Sequence, residues 1–247
     1  MAWTWFHRLG SPPWIYHFAG RVLRYLLPLT LLMLCVGAVW GLAFAPPDFR
    51  QGNSYRIIYI HVPVSVVALA GYYVMAIAGA VSLIWRMKVA DLMMRVAAPI
   101  GAGLTLLALV TGAVWGKPTW GTWWVWDARI TSMVILLFLY IGVYALYEAY
   151  DNKTLAAKAC AILSLVGTVN IPIIYKSVDW WYSLHQPASI KFTGGTTIDP
   201  SMLYPLLLMI SAVYALYVCL LLLGLRAGLI DSESTTNWVK REVLGEH

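Results

Sequence analysis

The stretch from residue 201 to residue 225, SMLYPLLLMISAVYALYVCLLLLGL, contains no charged side chain. A helix needs about 20 mostly apolar residues to cross the roughly 30 Å hydrocarbon core of a bilayer, so this stretch is long enough to span a membrane. Five earlier segments are of similar character; they cover residues 23–45, 57–85, 92–114, 129–149 and 156–175. The sequence therefore predicts an all-α polytopic membrane protein with six transmembrane helices, in which residues 1–247 form a single integral membrane domain.

The composition excludes an ordinary soluble protein. Of the 247 residues, 61% are hydrophobic and only 11% are charged, and the mean hydropathy is +0.72. Cys35, Cys160 and Cys219 lie inside apolar segments without CxxC or CxxCH spacing, so they are predicted to be small core residues. The sequence also lacks a GxxxxGK[ST] phosphate-binding loop, and any ATP-driven step would therefore need another subunit.

The distribution of basic residues predicts the orientation of the chain. With the N-terminus inside, 11 of the 17 basic residues fall on the inner side: Arg8, Arg21, Arg24, Arg86, Lys88, Arg95, Lys153, Lys158, Arg226, Lys240 and Arg241. The other six fall on the outer side: Arg50, Arg56, Lys117, Arg129, Lys176 and Lys191. Because basic loops tend to stay in the cytoplasm, both termini are predicted to be cytoplasmic. Loops at 46–56, 115–128 and 176–200 are then on the outer side.

The segment at 115–131, WGKPTWGTWWVWDARIT, concentrates five of the 13 tryptophans between two apolar segments. At about 100° per residue on a helix, three of these indoles and one carboxylate fall within an arc of roughly 100°. The members of that arc are Trp120, Trp123, Trp124 and Asp127. The segment is therefore interpreted as a platform for a flat, amphipathic ligand, although an aromatic belt at the membrane interface is the alternative. Gly116, Pro118 and Gly121 favour a short helical part and a partly extended remainder.

The five histidines divide between the two sides of the membrane. His7, His17 and His247 fall inside, whereas His61 and His185 fall outside with the tryptophans. Two imidazoles and a bank of indoles, here Trp115, Trp120, Trp123, Trp124 and Trp126, are the parts needed to hold a haem. Arg56, Lys117 and Arg129 could pair with the two propionates, or they could simply snorkel to the interface.

Two further features concern the fourth and fifth helices. Asp127 and Arg129 stand at the start of the fourth helix, where Asp127 is either a carboxylate favoured by the helix dipole or an acceptor for an indole or arginine. The sequence does not choose between these roles. Asn170-Ile171-Pro172 indicates an interruption within the fifth span.

The stretch from Trp120 to Arg129, WGTWWVWDAR, resembles the tryptophan-rich WWD signature of haem-handling membrane proteins in bacterial cytochrome c maturation. Three kinds of protein share that signature. The chain length, the six predicted spans, and one histidine before and one after the motif are similar to the CcmC family, the haem exporter protein C family. The resemblance covers nearly the whole chain, and the motif is highly specific.

This resemblance implies a function that the residues alone do not give. It implies that a non-covalent b-type haem binds to the WWD loop on the periplasmic side of the inner membrane, with His61 and His185 as the axial ligands of its iron. It also implies transfer to the haem chaperone CcmE, which takes the haem covalently, within a complex that contains the ATPase CcmA, the membrane subunit CcmB and the small subunit CcmD. The chain would present the haem rather than act as an independent enzyme.

Two other classes of membrane protein would place their histidines or ionisable residues differently. An intrinsic b-type electron-transfer subunit would normally place paired histidines on facing helices at membrane depth, whereas His61 and His185 are predicted at a helix end and in a loop. A secondary transporter with a midplane site would show ionisable residues in the middle of its spans, and the predicted segments show none.

Overall fold

The computed structural model describes residues 8–185, 190–191 and 195–245. His7 and His247, which the sequence assigns to the inner side, lie outside these residues. The helices are α1 (Pro12–Val39), α2 (Ile58–Trp85), α3 (Lys88–Trp120), α4 (Ala128–Ala149), α5 (Lys153–Gly167), α6 (Asn170–Trp180), α7 (Pro200–Ser232) and α8 (Asn237–Val239). Shorter elements are a π-helical turn at Trp40–Phe44, a 3-10 turn at Asn53–Ile57, the paired strands β1 (Ile190–Lys191) and β2 (Gly195–Thr196), and a π-helical turn at Lys240–Leu244.

Six helical segments in the described residues are long and apolar enough to cross a membrane. They are Pro12–Phe44, Asn53–Trp85, Lys88–Trp120, Ala128–Ala149, Lys153–Trp180 and Pro200–Ser232. The predicted all-α class and the six transmembrane helices are thereby confirmed, and the chain is a multi-pass membrane protein.

Two of the observed boundaries have clear physical causes. The first helix begins at Pro12, well before the predicted start at residue 23, because proline suits the first turn of a helix. The fifth span is divided between α5 and α6, and Thr168 lies in the break. Pro172 has no N–H to donate to the carbonyl four residues earlier, which is that of Thr168. The interruption predicted from Asn170-Ile171-Pro172 is confirmed.

The tryptophan segment is not a single helix. Helix α3 continues through Trp120 and ends at Gly121, whose φ of 79° is left-handed and closes the last turn through a bond to the Lys117 carbonyl. Residues 121–127 are irregular before α4 begins. The prediction that Trp120, Trp123, Trp124 and Asp127 share one helix face is therefore wrong, because the glycine cap separates the first of them from the rest.

The helices pack around α2, which contacts α3, α5 and α7, while α1 packs mainly on α7 and α4 packs on α3, α5 and α6. The central core contains Tyr72, Met75, Met94, Leu136 and Tyr140, each of which is fully buried. Alternating helix directions bring residues 45–52, 121–127, 181–185 and 195–199 to one end of the bundle. We call this the tryptophan end, and the other the opposite end.

Candidate functional site

His61 lies near the start of α2 and is held by three residues of α3. Its Nδ1 is 3.0 Å from Oγ1 of Thr111, and its ring meets the Trp115 indole edge to face at a centroid distance of 5.6 Å. A Cβ on Gly112 would stand 3.0 Å from Cε1 of His61, so the glycine leaves room for the imidazole. Gln51 in turn accepts a 2.7 Å hydrogen bond from Nε1 of Trp115.

The hydrogen bonds of Thr111 determine which nitrogen of His61 carries the proton. The Thr111 hydroxyl donates to the Leu107 carbonyl at 2.7 Å, which uses its one hydrogen. Oγ1 can then only accept from the imidazole, so Nδ1 of His61 is the protonated nitrogen. Its Nε2 keeps a free lone pair.

His185 lies in the segment after α6 and is held by Asp127 and Ser183. Its Nδ1 is 2.7 Å from Oδ2 of Asp127, and a carboxylate can only accept, so Nδ1 again carries the proton. The Ser183 hydroxyl donates to the same carboxylate oxygen and accepts from the backbone N–H of His185 at 3.1 Å. The Trp120 indole meets the ring at a centroid distance of 4.7 Å.

Asp127 is nearly buried, with 6% of its side chain exposed, and it joins two structural roles. One oxygen caps α4 by accepting from the backbone N–H of Ile130 at 2.8 Å, which confirms the helix-terminus role predicted for it. Burial acts to raise the pKa of this carboxyl, but the hydrogen bonds from Ile130, Ser183 and His185 outweigh burial and hold the pKa below its ordinary value. Burial lowers the pKa of His185, while the bond to Asp127 acts against that shift. The pair is therefore a carboxylate and a neutral imidazole at neutral pH.

The two histidines are engaged in the same way at the tryptophan end. Each donates through Nδ1 to an oxygen, and within the described part of the chain neither Nε2 has a hydrogen-bond partner. An imidazole fixed in this way presents the nitrogen that binds a metal, and a bound carboxylate or hydroxyl behind the ring is the usual arrangement for histidine ligands.

The five tryptophans of the motif differ in how they are held. Trp115 and Trp120 pack on the two histidines, and Trp124 contacts Trp126 at 5.3 Å between ring centroids. Trp123 and Trp126 expose 56% and 71% of their surface. Nε1 of Trp124 is buried and has no acceptor among the described residues.

The three basic residues named from the sequence are placed differently. Arg56 donates to the carbonyls of Leu42 and Ala45 at 2.7 and 2.8 Å, and it thereby holds the end of the first span. Lys117 lies 6.0 Å from the centre of the Trp123 ring and donates to the Gly121 carbonyl. Arg129 donates from Nε to Oγ of Ser177 at 3.3 Å, and its positive charge acts to lower the pKa of His185.

Sequence reasoning missed Thr111 and Ser183. Thr111 is one polar residue within an apolar span, and its role depends on the packing of α3 against α2. Ser183 offered a signal in its position two residues before His185, at a spacing that lets a serine bond the following backbone. Across the described residues, no group of three or more His, Cys, Asp or Glu side chains could hold a bare metal ion.

Comparisons with known proteins all identify the same family. The family model CcmC, "Heme exporter protein C", matches residues 5–240. The chain is 48% identical over 238 residues to a Haemophilus influenzae protein named "Heme exporter protein C", covering 96% of this chain and 97% of that protein. It is 46% identical over 242 residues to the protein of that name from Escherichia coli, covering 98% of each. A Paracoccus denitrificans protein of the same name is 38% identical over 209 residues, covering 84% of this chain and 86% of its own length.

Proposed function

The chain belongs to the CcmC family, described as "Heme exporter protein C", and from this premise we propose that it binds haem at the tryptophan end and passes it on for cytochrome c maturation. The observation that carries the proposal is the histidine pair. His61 and His185 come from distant parts of the chain, yet each has Nδ1 engaged and Nε2 free. Two neutral imidazoles of this kind are suitable axial ligands for the iron of a non-covalent b-type haem.

The indoles would form the surface on which the haem ring rests. Trp120 touches His185 and Trp115 touches His61, so both indoles lie beside the proposed iron ligands. Trp123 and Trp126 are exposed and free to stack on an arriving ring. The unpartnered Nε1 of Trp124 supplies a hydrogen-bond donor to the same region.

Among the basic residues, we assign the haem propionates to Arg129 and Lys117. The positive charge of Arg129 acts on His185, and its terminal guanidinium nitrogens make no hydrogen bond within the described residues. Lys117 lies over the exposed face of Trp123. Arg56 differs, because two of its nitrogens already donate to backbone carbonyls, and its role here is to hold the first span beside α2.

The site opens towards the surface at the tryptophan end. The His185 side chain is 19% exposed, and the indoles of Trp123 and Trp126 in residues 121–127 are also exposed. We place this end on the periplasmic side of the inner membrane, with both termini in the cytoplasm, and treat residues 1–247 as one membrane domain. An acceptor could then reach one edge of the haem. We assign that role to the haem chaperone CcmE, with CcmA, CcmB and CcmD in the same complex. The chain itself orients the haem and leaves the covalent step to its acceptor.

The position of the histidines argues against an electron-transfer subunit. His61 is in the first turn of α2, and His185 is in the segment after α6. Electron-transfer subunits place such pairs within facing helices at membrane depth, where polar residues are rare and functional.

The proposal is tested by the haem content and absorption spectrum of the purified protein. His61→Ala and His185→Ala should each lose haem or show a changed spectrum, and added imidazole should partly restore the spectrum by occupying the open position. His17→Ala is the matched control, because His17 lies at the opposite end and pairs with Glu242. Wild-type haem content and spectrum in both site variants would refute the assignment.

A further inference from the structure

The two histidines are backed by chemically different acceptors. Behind His185 stands a carboxylate, that of Asp127, at 2.7 Å from Nδ1. Behind His61 stands a neutral hydroxyl, that of Thr111, at 3.0 Å. An imidazole that donates to a carboxylate is a stronger base at its other nitrogen than one that donates to an alcohol, because the bond to an ionised acceptor is the stronger.

We propose that Thr111 is a positioning residue for His61, and that His61 is the weaker of two unequal axial ligands and the one that leaves the iron first when haem is passed on. The inference rests on the proposed function, since it concerns the same haem. It adds a residue outside the tryptophan motif and an order of ligand release.

The geometry around Thr111 explains how a single hydroxyl can orient the ring. Its hydrogen is fixed on the Leu107 carbonyl of the preceding turn, so the oxygen lone pairs point away from the helix axis towards His61. Gly112 allows the imidazole to lie against the α3 backbone, and the Trp115 indole contacts the ring edge to face. These three contacts from one helix fix the ring plane as well as the tautomer.

The hydrogen bonds around His185 are stronger and more numerous than the one behind His61. The Asp127 carboxylate is itself held by Ile130 and Ser183, so it cannot turn away from the imidazole. Ser183 also accepts from the backbone N–H of His185, which ties the segment to the same carboxylate. The imidazole on this side is held to a charged acceptor that is itself fixed, so its bond to iron should be the one that persists.

The first experiment needs no haem. Nitrogen NMR of protein labelled on the histidine side chains should show Nδ1-protonated, neutral imidazoles for His61 and His185. Thr111→Val should leave His61 in a mixture of tautomers and His185 unchanged, whereas Thr111→Ser should keep the wild-type pattern. Thr105→Val is the matched control, because Thr105 makes the same bond to the carbonyl four residues earlier on α3 and touches no histidine. An Nε2-protonated His61 in the wild type, or an unchanged His61 in Thr111→Val, would overturn the role of Thr111.

The second experiment measures the two bonds to iron separately. In reduced protein loaded with haem, His61→Ala retains only His185 and His185→Ala retains only His61. The iron–imidazole stretching frequency from resonance Raman spectra should be higher in His61→Ala, and Asp127→Asn added to that variant should bring it down towards the value for His185→Ala. Haem affinity should fall about tenfold in Thr111→Val and stay unchanged in Thr105→Val, as expected for loss of a hydrogen bond behind a ligand. Equal frequencies would refute the order of release.

The two arms separate failure of this inference from failure of the proposed function. If neither histidine binds haem, the NMR result on His61 still decides the role of Thr111, while the order of release is refuted with the function. If haem binds through both histidines but Thr111→Val behaves like Thr105→Val, only the inference fails.

Discussion

At the scale of single residues, Asp127 has two structural roles. Its Oδ1 caps α4 and its Oδ2 accepts from Ser183 and His185, so the start of a transmembrane helix and a proposed iron ligand share one carboxylate. The tryptophan motif therefore ends in an aspartate that fixes a histidine far along the chain, as well as in a helix cap.

We predict that Asp127→Ala lowers both stability and haem binding. Loss of the cap alone should cost about 1 kcal/mol. His185 and Ser183 also lose their acceptor, so the affinity for haem should fall by tenfold or more. Thermal unfolding and haem titration in detergent measure the two effects.

The control for this prediction is Asn152→Ala. Asn152 caps α5 at the opposite end by accepting from the backbone of Thr154 and Leu155, and it contacts no proposed haem ligand. It should lose similar stability and keep full haem affinity. Equal haem binding by the two variants would contradict the account of Asp127.

The sequence singled out the two histidines and Asp127, but not the hydroxyls of Thr111 and Ser183. His61 and His185 stand out in the sequence because histidines are few and the predicted topology divides them by side. Thr111 and Ser183 gain their roles from contacts between distant elements, in which a lone hydroxyl meets an imidazole. No local pattern distinguishes such a hydroxyl from one that bonds only its own helix, as Thr105 does.

At the scale of elements, α3 carries much of the site. Its last turns supply Thr111, Trp115 and Trp120, and its middle packs closely on α4 at Gly101. The close packing fixes where the helix end stands. Hydropathy predicts the span, but it does not predict the helix end at Gly121, because a glycine cap depends on a left-handed φ that only the structure reveals.

We predict that Gly101→Ala is destabilising and Gly103→Ala is not. A Cβ on Gly101 would lie 2.1 Å from the buried Tyr140 ring, while nothing stands within 4 Å of the position at Gly103. Overpacking of this kind typically costs about 1–3 kcal/mol. Thermal unfolding of the two variants in detergent is the measurement. Equal stability of the two would show that α3 and α4 are not packed as described.

The irregular residues 121–127 should contribute to haem binding and not to the stability of the fold. We predict that the double variant Trp123→Ala, Trp126→Ala keeps its unfolding temperature, because both side chains are exposed, and that its haem affinity falls by roughly thirtyfold. An aromatic contact contributes on the order of 1 kcal/mol beyond burial, and the two losses add. Phenylalanine at the same positions should be milder.

The matched control for this pair is Trp180→Ala, Trp181→Ala. These indoles are also exposed at the tryptophan end, and they contact each other rather than a proposed ligand. If haem affinity falls equally in both double variants, or in neither, the tryptophan motif is an aromatic belt at the membrane interface and not a haem platform.

At the scale of the whole molecule, delivery of haem to the periplasm requires that the tryptophan end lies on the periplasmic side of the membrane. The His61, Asp127 and His185 contacts bring three separate segments of the chain to the tryptophan end. We predict that reporter fusions after Gly52 or Gly121 act in the periplasm, and that a fusion after Asn152 acts in the cytoplasm. A cytoplasmic signal from Gly121 would place the haem site on the wrong side for periplasmic delivery.

The central claim is that His61 and His185 bind one iron from opposite sides, and the electron paramagnetic resonance spectrum of the oxidised, haem-loaded chain tests it most directly. We predict a low-spin signal typical of two imidazole ligands in the wild type and in His17→Ala. His61→Ala and His185→Ala should each convert the signal to high spin, and added imidazole should reverse the change. A wild-type low-spin signal in either site variant, or a high-spin signal in the wild type, would contradict the account.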